Sequence, residues 1–299
     1  MRTSVKAQNP NAADHNFLLA ATVFLPDIFF MTKIADKIND LKAKIAARDT
    51  MIVAYSGGVD SALLGVLARE ILGDRSRCIL LDSPVVPRSA IREARAIAKE
   101  CGLDLEVLPV SVMEDARFVK NPPGRCYFCK KNSSVMLKQR KDELGFACIA
   151  DGINASDLGE HRPGITASTE EGIVHPFVEA GITKDDIRAI ARDYGCSFWN
   201  KPSAACLSSR IPYGEEITTE KLGMIEAAEA FLQEKGFTQF RVRVHGVIAR
   251  IEVPGGDIQK IIKLREETVK KLKEIGFSYV VLDLEGYRSG SMDEVLRQR

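Results

Sequence analysis

Four stretches of this 299-residue chain carry residues whose types and spacing suit chemistry. Ser56-Gly57-Gly58-Val59-Asp60-Ser61 joins an apolar run, Met51 to Tyr55, to a helical pattern opening at Ala62. Glycines allow a tight strand-to-helix turn and close approach of backbone to a ligand. The N–H groups opening the helix converge on one point, where the helix dipole favours an anion. That is a phosphate cradle, and it lacks the Gly-Lys-Ser/Thr ending of a kinase or GTPase loop. Cys126 and Cys129, three apart, stand at the opening of a helix, whose dipole favours thiolates. Such a pair binds a metal or cluster, cycles as a redox couple, or simply packs as two small hydrophobes. Cys206 lies in a loop of small residues flanked by Lys201 and Arg210, and neighbouring cations favour a nucleophilic thiolate. Arg241 and Arg243 alternate along one strand and so share a face. Paired guanidiniums suit a phosphate, although a solvated edge is the plainer reading. Glu252, on the next strand, either balances them or holds Mg²⁺.

The elements that must position these groups alternate. Strands at Cys78–Asp82, Leu105–Val110 and Ala147–Ala150 are separated by helical patterns, one of them over 87–101. This alternation predicts an α/β, doubly wound parallel sheet with ligands at the carboxyl ends of its strands. Asp82 ends the second strand, where it faces a nucleotide or merely caps a turn. The fourth strand runs into Asp151-Gly152-Ile153-Asn154, polar groups on a tight turn suited to ribose or adenine edges. Arg162, before Pro163-Gly164, is placed to meet a phosphate, while His161 reads as a surface residue. A helix over 183–194 is capped by Thr183. From about residue 216 the pattern becomes αββαβ: helix 218–235, two strands, a long helix over 256–275, and a last strand Tyr279–Leu284. We expect a domain over 31–215 and a small C-terminal α+β domain over 216–299, serving substrate binding and oligomerisation.

Composition narrows the field. Net charge is +1, so no global basic field advertises nucleic acid. Seven cysteines with one close pair do not form the disulfide framework of a secreted domain, which points to a reducing cytoplasmic setting. The apolar stretch from Phe17 to Phe30 is broken by Pro26 and Asp27 and is too short to span a bilayer. Met31 opens a polar amphipathic pattern, so residues 1–30 are expected to be a non-native or disordered extension.

The string SGGVDS between strand and helix resembles the PP-loop of ATP pyrophosphatases, which implies adenylation of a substrate with release of pyrophosphate. Taken with RCYFCK, DGINASDLGEHRPG, KPSAACLSSR and RVRVHG, it resembles the ATP-dependent sacrificial sulfur transferases of the LarE type. The resemblance runs from about Met31 to the C-terminus. It implies that a carboxylate of pyridinium-3,5-biscarboxylic acid mononucleotide is adenylated and converted to a thiocarboxylate, on the way to the nickel-pincer nucleotide of lactate racemase. Carried over, Ser56, Gly57, Gly58, Asp60 and Ser61 hold the ATP pyrophosphate with Mg²⁺, and Cys206 is the sulfur-donating cysteine. Arg210, Arg241 and Arg243 grip the substrate phosphate, with Glu229 and Glu252 nearby. The simplest members lack the C-x-x-C, whereas members with three such cysteines are expected to hold a [4Fe–4S] cluster, here on Cys126, Cys129 and Cys206. A homo-oligomer is expected, with no membrane and no nucleic acid. A PP-loop tRNA thiolase, an ammonia-using ligase of the NAD or GMP synthetase kind, and a non-catalytic ATP sensor are the alternatives.

Overall fold

The computed structural model describes residues 25–159, 163–288 and 290–294. Its elements run α1 (Leu25–Ala46), β1 (Met51–Tyr55), α2 (Val59–Leu72), β2 (Ser76–Asp82), α3 (Arg88–Glu100), β3 (Leu105–Pro109), α4 (Ala116–Val119), α5 (Arg125–Leu144) and β4 (Cys148–Ala150). They continue with α6 (Pro163–Glu170), α7 (Pro176–Glu179), α8 (Lys184–Asp193), α9 (Thr219–Glu234), β5 (Arg241–His245), β6 (Ile248–Glu252), α10 (Ile258–Lys263), α11 (Arg265–Ile275) and β7 (Tyr279–Leu282). The first helix starts at Leu25, earlier than the expected opening at Met31, and its Pro26 sits in the first turn, where a missing N–H costs nothing.

The parallel sheet has the order β3-β2-β1-β4. Alternation along its central strands buries both faces, as a sheet covered by crossover helices requires. Met51, Val53 and Tyr55 pack with α2 and α3 in the main core, while Ile52 and Ile79 meet Leu137 of α5 on the other face. Cys78 and Cys196 are buried in the main core, and Cys101 and Cys148 pack against it.

A second, smaller sheet has the order β5-β6-β7, antiparallel then parallel. Its core gathers Val242, Val244, Ala249 and Ile251 with Leu222, Ile225 and Phe231 of α9. Val85, Phe118, Leu207 and Ile211 belong to that same core, so the Cys206 segment is anchored in it. The long helix expected over 256–275 is broken at Leu264, which leaves the helical conformation and packs against this core.

Candidate active site

The loop Ser56–Ser61 owes its shape to its glycines. Gly57 turns with φ +71°, and a Cβ there would lie 2.5 Å from the Cβ of Ala94, so only glycine lets the loop rest on α3. Gly58 precedes α2 in extended conformation, and Ser61 Oγ accepts from the Ser56 N–H at 3.0 Å. Gly152, after β4, packs so tightly that a Cβ would come within 2.8 Å of the Ser61 nitrogen. The Asp151–Asn154 turn therefore abuts the loop Ser56–Ser61. Asn154 is buried and donates to Asp157 at 2.7 Å, which fixes this turn internally.

Two lysines flank the loop. Lys184 donates to both oxygens of Asp60, at 2.7 and 2.6 Å, from 124 positions along the chain. Lys201 donates to the Gly57 carbonyl at 3.0 Å and pairs with Glu93 at 3.1 Å. Ser56, Gly58, Asp60, Lys184, Lys201 and Cys206 line one cavity of about 240 Å³. The thiol and the cradle thus open onto the same space. Segment 201–205 separates this space from a larger cavity of about 520 Å³, lined by Arg88, Arg92, Arg210, Glu226, Glu229 and Arg241 among others. Asp82 opens onto neither. It pairs with Arg88 and lines a shallow hollow with Pro84, Pro109, Val110 and Ser111.

Asp151 is 4% exposed and bridges two side chains that the sequence pattern did not single out. Its carboxylate accepts from His175 Nδ1 at 2.7 Å and from Lys130 Nζ at 3.0 Å. Burial disfavours its charge, but the His175 hydrogen bond and the Lys130 ammonium outweigh that and hold it below the usual carboxylate range. His175 Nε2 lies 3.0 Å from Thr169 Oγ1. Lys130 directly follows Cys129 in α5, so this chain of contacts ties the C-x-x-C helix to the end of β4.

The three candidate thiols share a neighbourhood. Burial pushes the Cys129 thiol up to about 12, helped by the nearby thiols of Cys206 and Cys126. Cys129 and Cys206 pack against the same core. Among the described residues no three His, Cys, Asp or Glu side chains are placed to hold a single metal ion. Two stitches connect the segment before Cys126 to the segment after Cys206. Fully buried Asn121, held at φ 53°, donates to the carbonyls of Ile211, Pro212 and Glu215 at 3.2, 2.8 and 3.0 Å. Arg125 donates to Asn121 Oδ1 at 2.8 Å and stacks 4.4 Å from the Tyr213 ring.

The arginines differ in how far they are engaged. Arg210, 3% exposed, meets Glu229 through two bonds of 2.9 Å and donates to the carbonyls of Ala205 and Cys206. Arg243, 5% exposed, meets Glu252 at 2.9 and 2.8 Å and the Ser209 carbonyl at 2.7 Å. Glu252 also accepts from Arg250, so it balances arginines. Neither Lys201 nor Arg210 has its polar contacts on the Cys206 thiol; both bind backbone carbonyls and carboxylates instead. Arg241 opens into the larger cavity. Arg162 and His161 lie outside the described residues. Asn121, Lys130, His175 and Lys184 were not legible as site residues, because each acts through a partner distant in sequence.

The family model described as NAD synthase matches residues 30–133. A pyridinium-3,5-bisthiocarboxylic acid mononucleotide synthase from Lactiplantibacillus plantarum is 33% identical over 89% of this chain and 97% of its own length. The chain belongs to the LarE-type synthase family. Other similar proteins are an uncharacterised protein of Synechocystis, 39% identical over 87% of this chain and 98% of its own length, and one of Methanocaldococcus jannaschii, 36% identical over 87% and 99%.

Proposed function

We propose that this LarE-type chain is an ATP-dependent sulfur transferase acting on pyridinium-3,5-biscarboxylic acid mononucleotide. The observation that carries the reading is that Cys206 lines the same cavity as Ser56, Gly58 and Asp60. A substrate carboxylate oxygen attacks the α-phosphorus of ATP, the bond to the pyrophosphate breaks, and an acyl-adenylate forms. The loop N–H groups, with Lys184 and Lys201 beside them, stabilise the departing pyrophosphate. Mg²⁺ arrives with the phosphates, and Asp60 is the carboxylate lining that cavity. In the sacrificial route the Cys206 thiolate attacks the acyl carbon and expels AMP. Loss of the Cα proton then breaks the Cβ–S bond, giving the thiocarboxylate and leaving dehydroalanine.

Cys126, Cys129 and Cys206 are the residues that would hold a [4Fe–4S] cluster: Cys129 lies within electrostatic reach of both other thiols, but among the described residues the three are not placed to hold one metal ion as they stand. When bound through three thiolates, such a cluster supplies an iron open to a sulfide. Anaerobic purification with iron and sulfide analysis tests this. The used protein also discriminates: Cys206 stays intact if sulfur comes from elsewhere, and becomes about 34 Da lighter if its own sulfur leaves, outside the reversible oxidation ladder. A cytoplasmic homo-oligomer with domains over 31–215 and 216–299 belongs to the same reading. The NAD synthase match would suit an ammonia-using ligase, but it ends before Cys206. The test is pyrophosphate release from ATP. It is expected to require the biscarboxylic mononucleotide, and release without any acid, or none with it, would refute the assignment.

A further inference from the structure

The larger cavity carries positive charge that its own carboxylates do not neutralise. Its cations are Arg88, Arg92, Lys201, Arg210 and Arg241. Arg210 is matched by Glu229, Lys201 by Glu93, and Arg88 by Asp82. Glu226 accepts from the backbone N–H of Arg88 at the first turn of α3, where an anion complements the helix dipole. Arg241 and Arg92 remain. Arg241 donates to the Phe240 carbonyl at 2.6 Å and lies 5.2 Å from the Tyr287 ring, but meets no carboxylate among the described residues. Burial, then the positive field of Arg210, pushes its guanidinium down from the ordinary arginine value, and Glu229 offsets only part of this. The Arg92 side chain, on the solvent-exposed rim of the cavity, makes no side-chain hydrogen bond or ion pair with any described residue.

Two unmatched guanidiniums on one cavity suit a particular ligand. A phosphate monoester carries close to two negative charges at neutral pH and accepts paired N–H bonds. A nucleoside hydroxyl in the same place would leave both cations unmatched. Arg92 rises from α3 beside the parallel sheet, and Arg241 comes from β5 of the smaller sheet. A phosphate held by both would therefore tie the two sheets together beside the segment 201–205 that leads to Cys206.

We propose that Arg92 shares the recognition of the substrate's 5′-phosphate with Arg241, and that this pair makes the site select a phosphate monoester over the corresponding nucleoside. This rests on the reading of the substrate as a pyridinium mononucleotide. The test measures binding alone, without ATP or sulfur transfer. Isothermal titration of the full chain with nicotinamide mononucleotide and with nicotinamide riboside separates the phosphate from the rest of the ligand. The mononucleotide is expected to bind at least about tenfold more tightly, the equivalent of one charge-assisted hydrogen bond. Arg92→Ala should remove roughly tenfold of mononucleotide affinity and little of riboside affinity, and Arg92→Lys should restore part of it. Arg95→Ala, on the same helix but outside the cavity lining, should change neither. Unchanged mononucleotide affinity in Arg92→Ala, or equal losses for both ligands, would overturn the proposal. If wild-type protein still releases pyrophosphate with the biscarboxylic mononucleotide, such a result overturns the role of Arg92 alone. If wild-type protein binds neither ligand and releases no pyrophosphate, the mononucleotide reading falls with it.

Discussion

The loop at Ser56–Ser61 and the arginines around β5 both carry groups suited to anions, but they hold their donors in opposite states. Ser56, Gly58, Val59 and Asp60 of the loop line an open cavity, with Gly57 folded against α3. The arginines Arg210 and Arg243 are almost fully buried and already bonded to Glu229, Glu252 and backbone carbonyls. Among the described residues only the loop's own serines compete for its backbone donors: Ser61 Oγ accepts from the Ser56 N–H and Ser56 Oγ from the Gly58 N–H. A guanidinium has five N–H donors and readily satisfies them within the protein. Two arginines of similar spacing can therefore have different duties: Arg243 fastens Ser209 to the second sheet, whereas Arg241 faces the larger cavity.

The largest effect is expected at the loop. Gly57→Ala adds a methyl group against Ala94 in a left-handed conformation, at a cost of about 2 to 5 kcal/mol, and should abolish pyrophosphate release. Thermal unfolding with a pyrophosphate assay checks both. An active, stable variant would show that the turn tolerates a side chain and that the cradle is built differently. Next, Arg243→Ala takes the bidentate partner from buried Glu252 and leaves it Arg250, and should destabilise the chain by about 1.5 to 3 kcal/mol in urea unfolding. Arg241→Ala should leave stability nearly unchanged and weaken mononucleotide binding instead. Equal stability losses for the two variants would erase the distinction drawn between them.

The loop was readable because its chemistry is local: six consecutive residues between a strand and a helix specify the turn. The alternating strands and helices gave the parallel sheet for the same reason, since period and glycine stops lie along the chain. The duties of the arginines were not readable. Glu229 lies 19 positions from Arg210, and only folding decides that this pair closes. The same holds for Asn121, which spans 90 positions to the Ile211 carbonyl, and for Lys184 on Asp60. Asp82 stands at a strand end, as expected of a ligand-facing residue, yet Arg88 takes it into a separate hollow.

The smallest effect concerns a thiol. Cys129, with its pKa pushed up to about 12 by burial and then by its thiol neighbours, is protonated at neutral pH. In iron-free protein its alkylation by iodoacetamide should rise about tenfold per pH unit between pH 8 and 10, since only the thiolate reacts. A rate that levels off by pH 9 would place the thiol in a different environment.

The proposed function divides the labour within one cavity, the loop activating the acid and Cys206 lying on the path of sulfur. Cys206→Ala leaves the loop, Lys184 and Lys201 in place. Pyrophosphate release and thiocarboxylate formation should therefore be followed together in this variant, with ATP and the biscarboxylic mononucleotide. Pyrophosphate should still be released while no thiocarboxylate appears by mass spectrometry. Thiocarboxylate at the wild-type level would contradict that division.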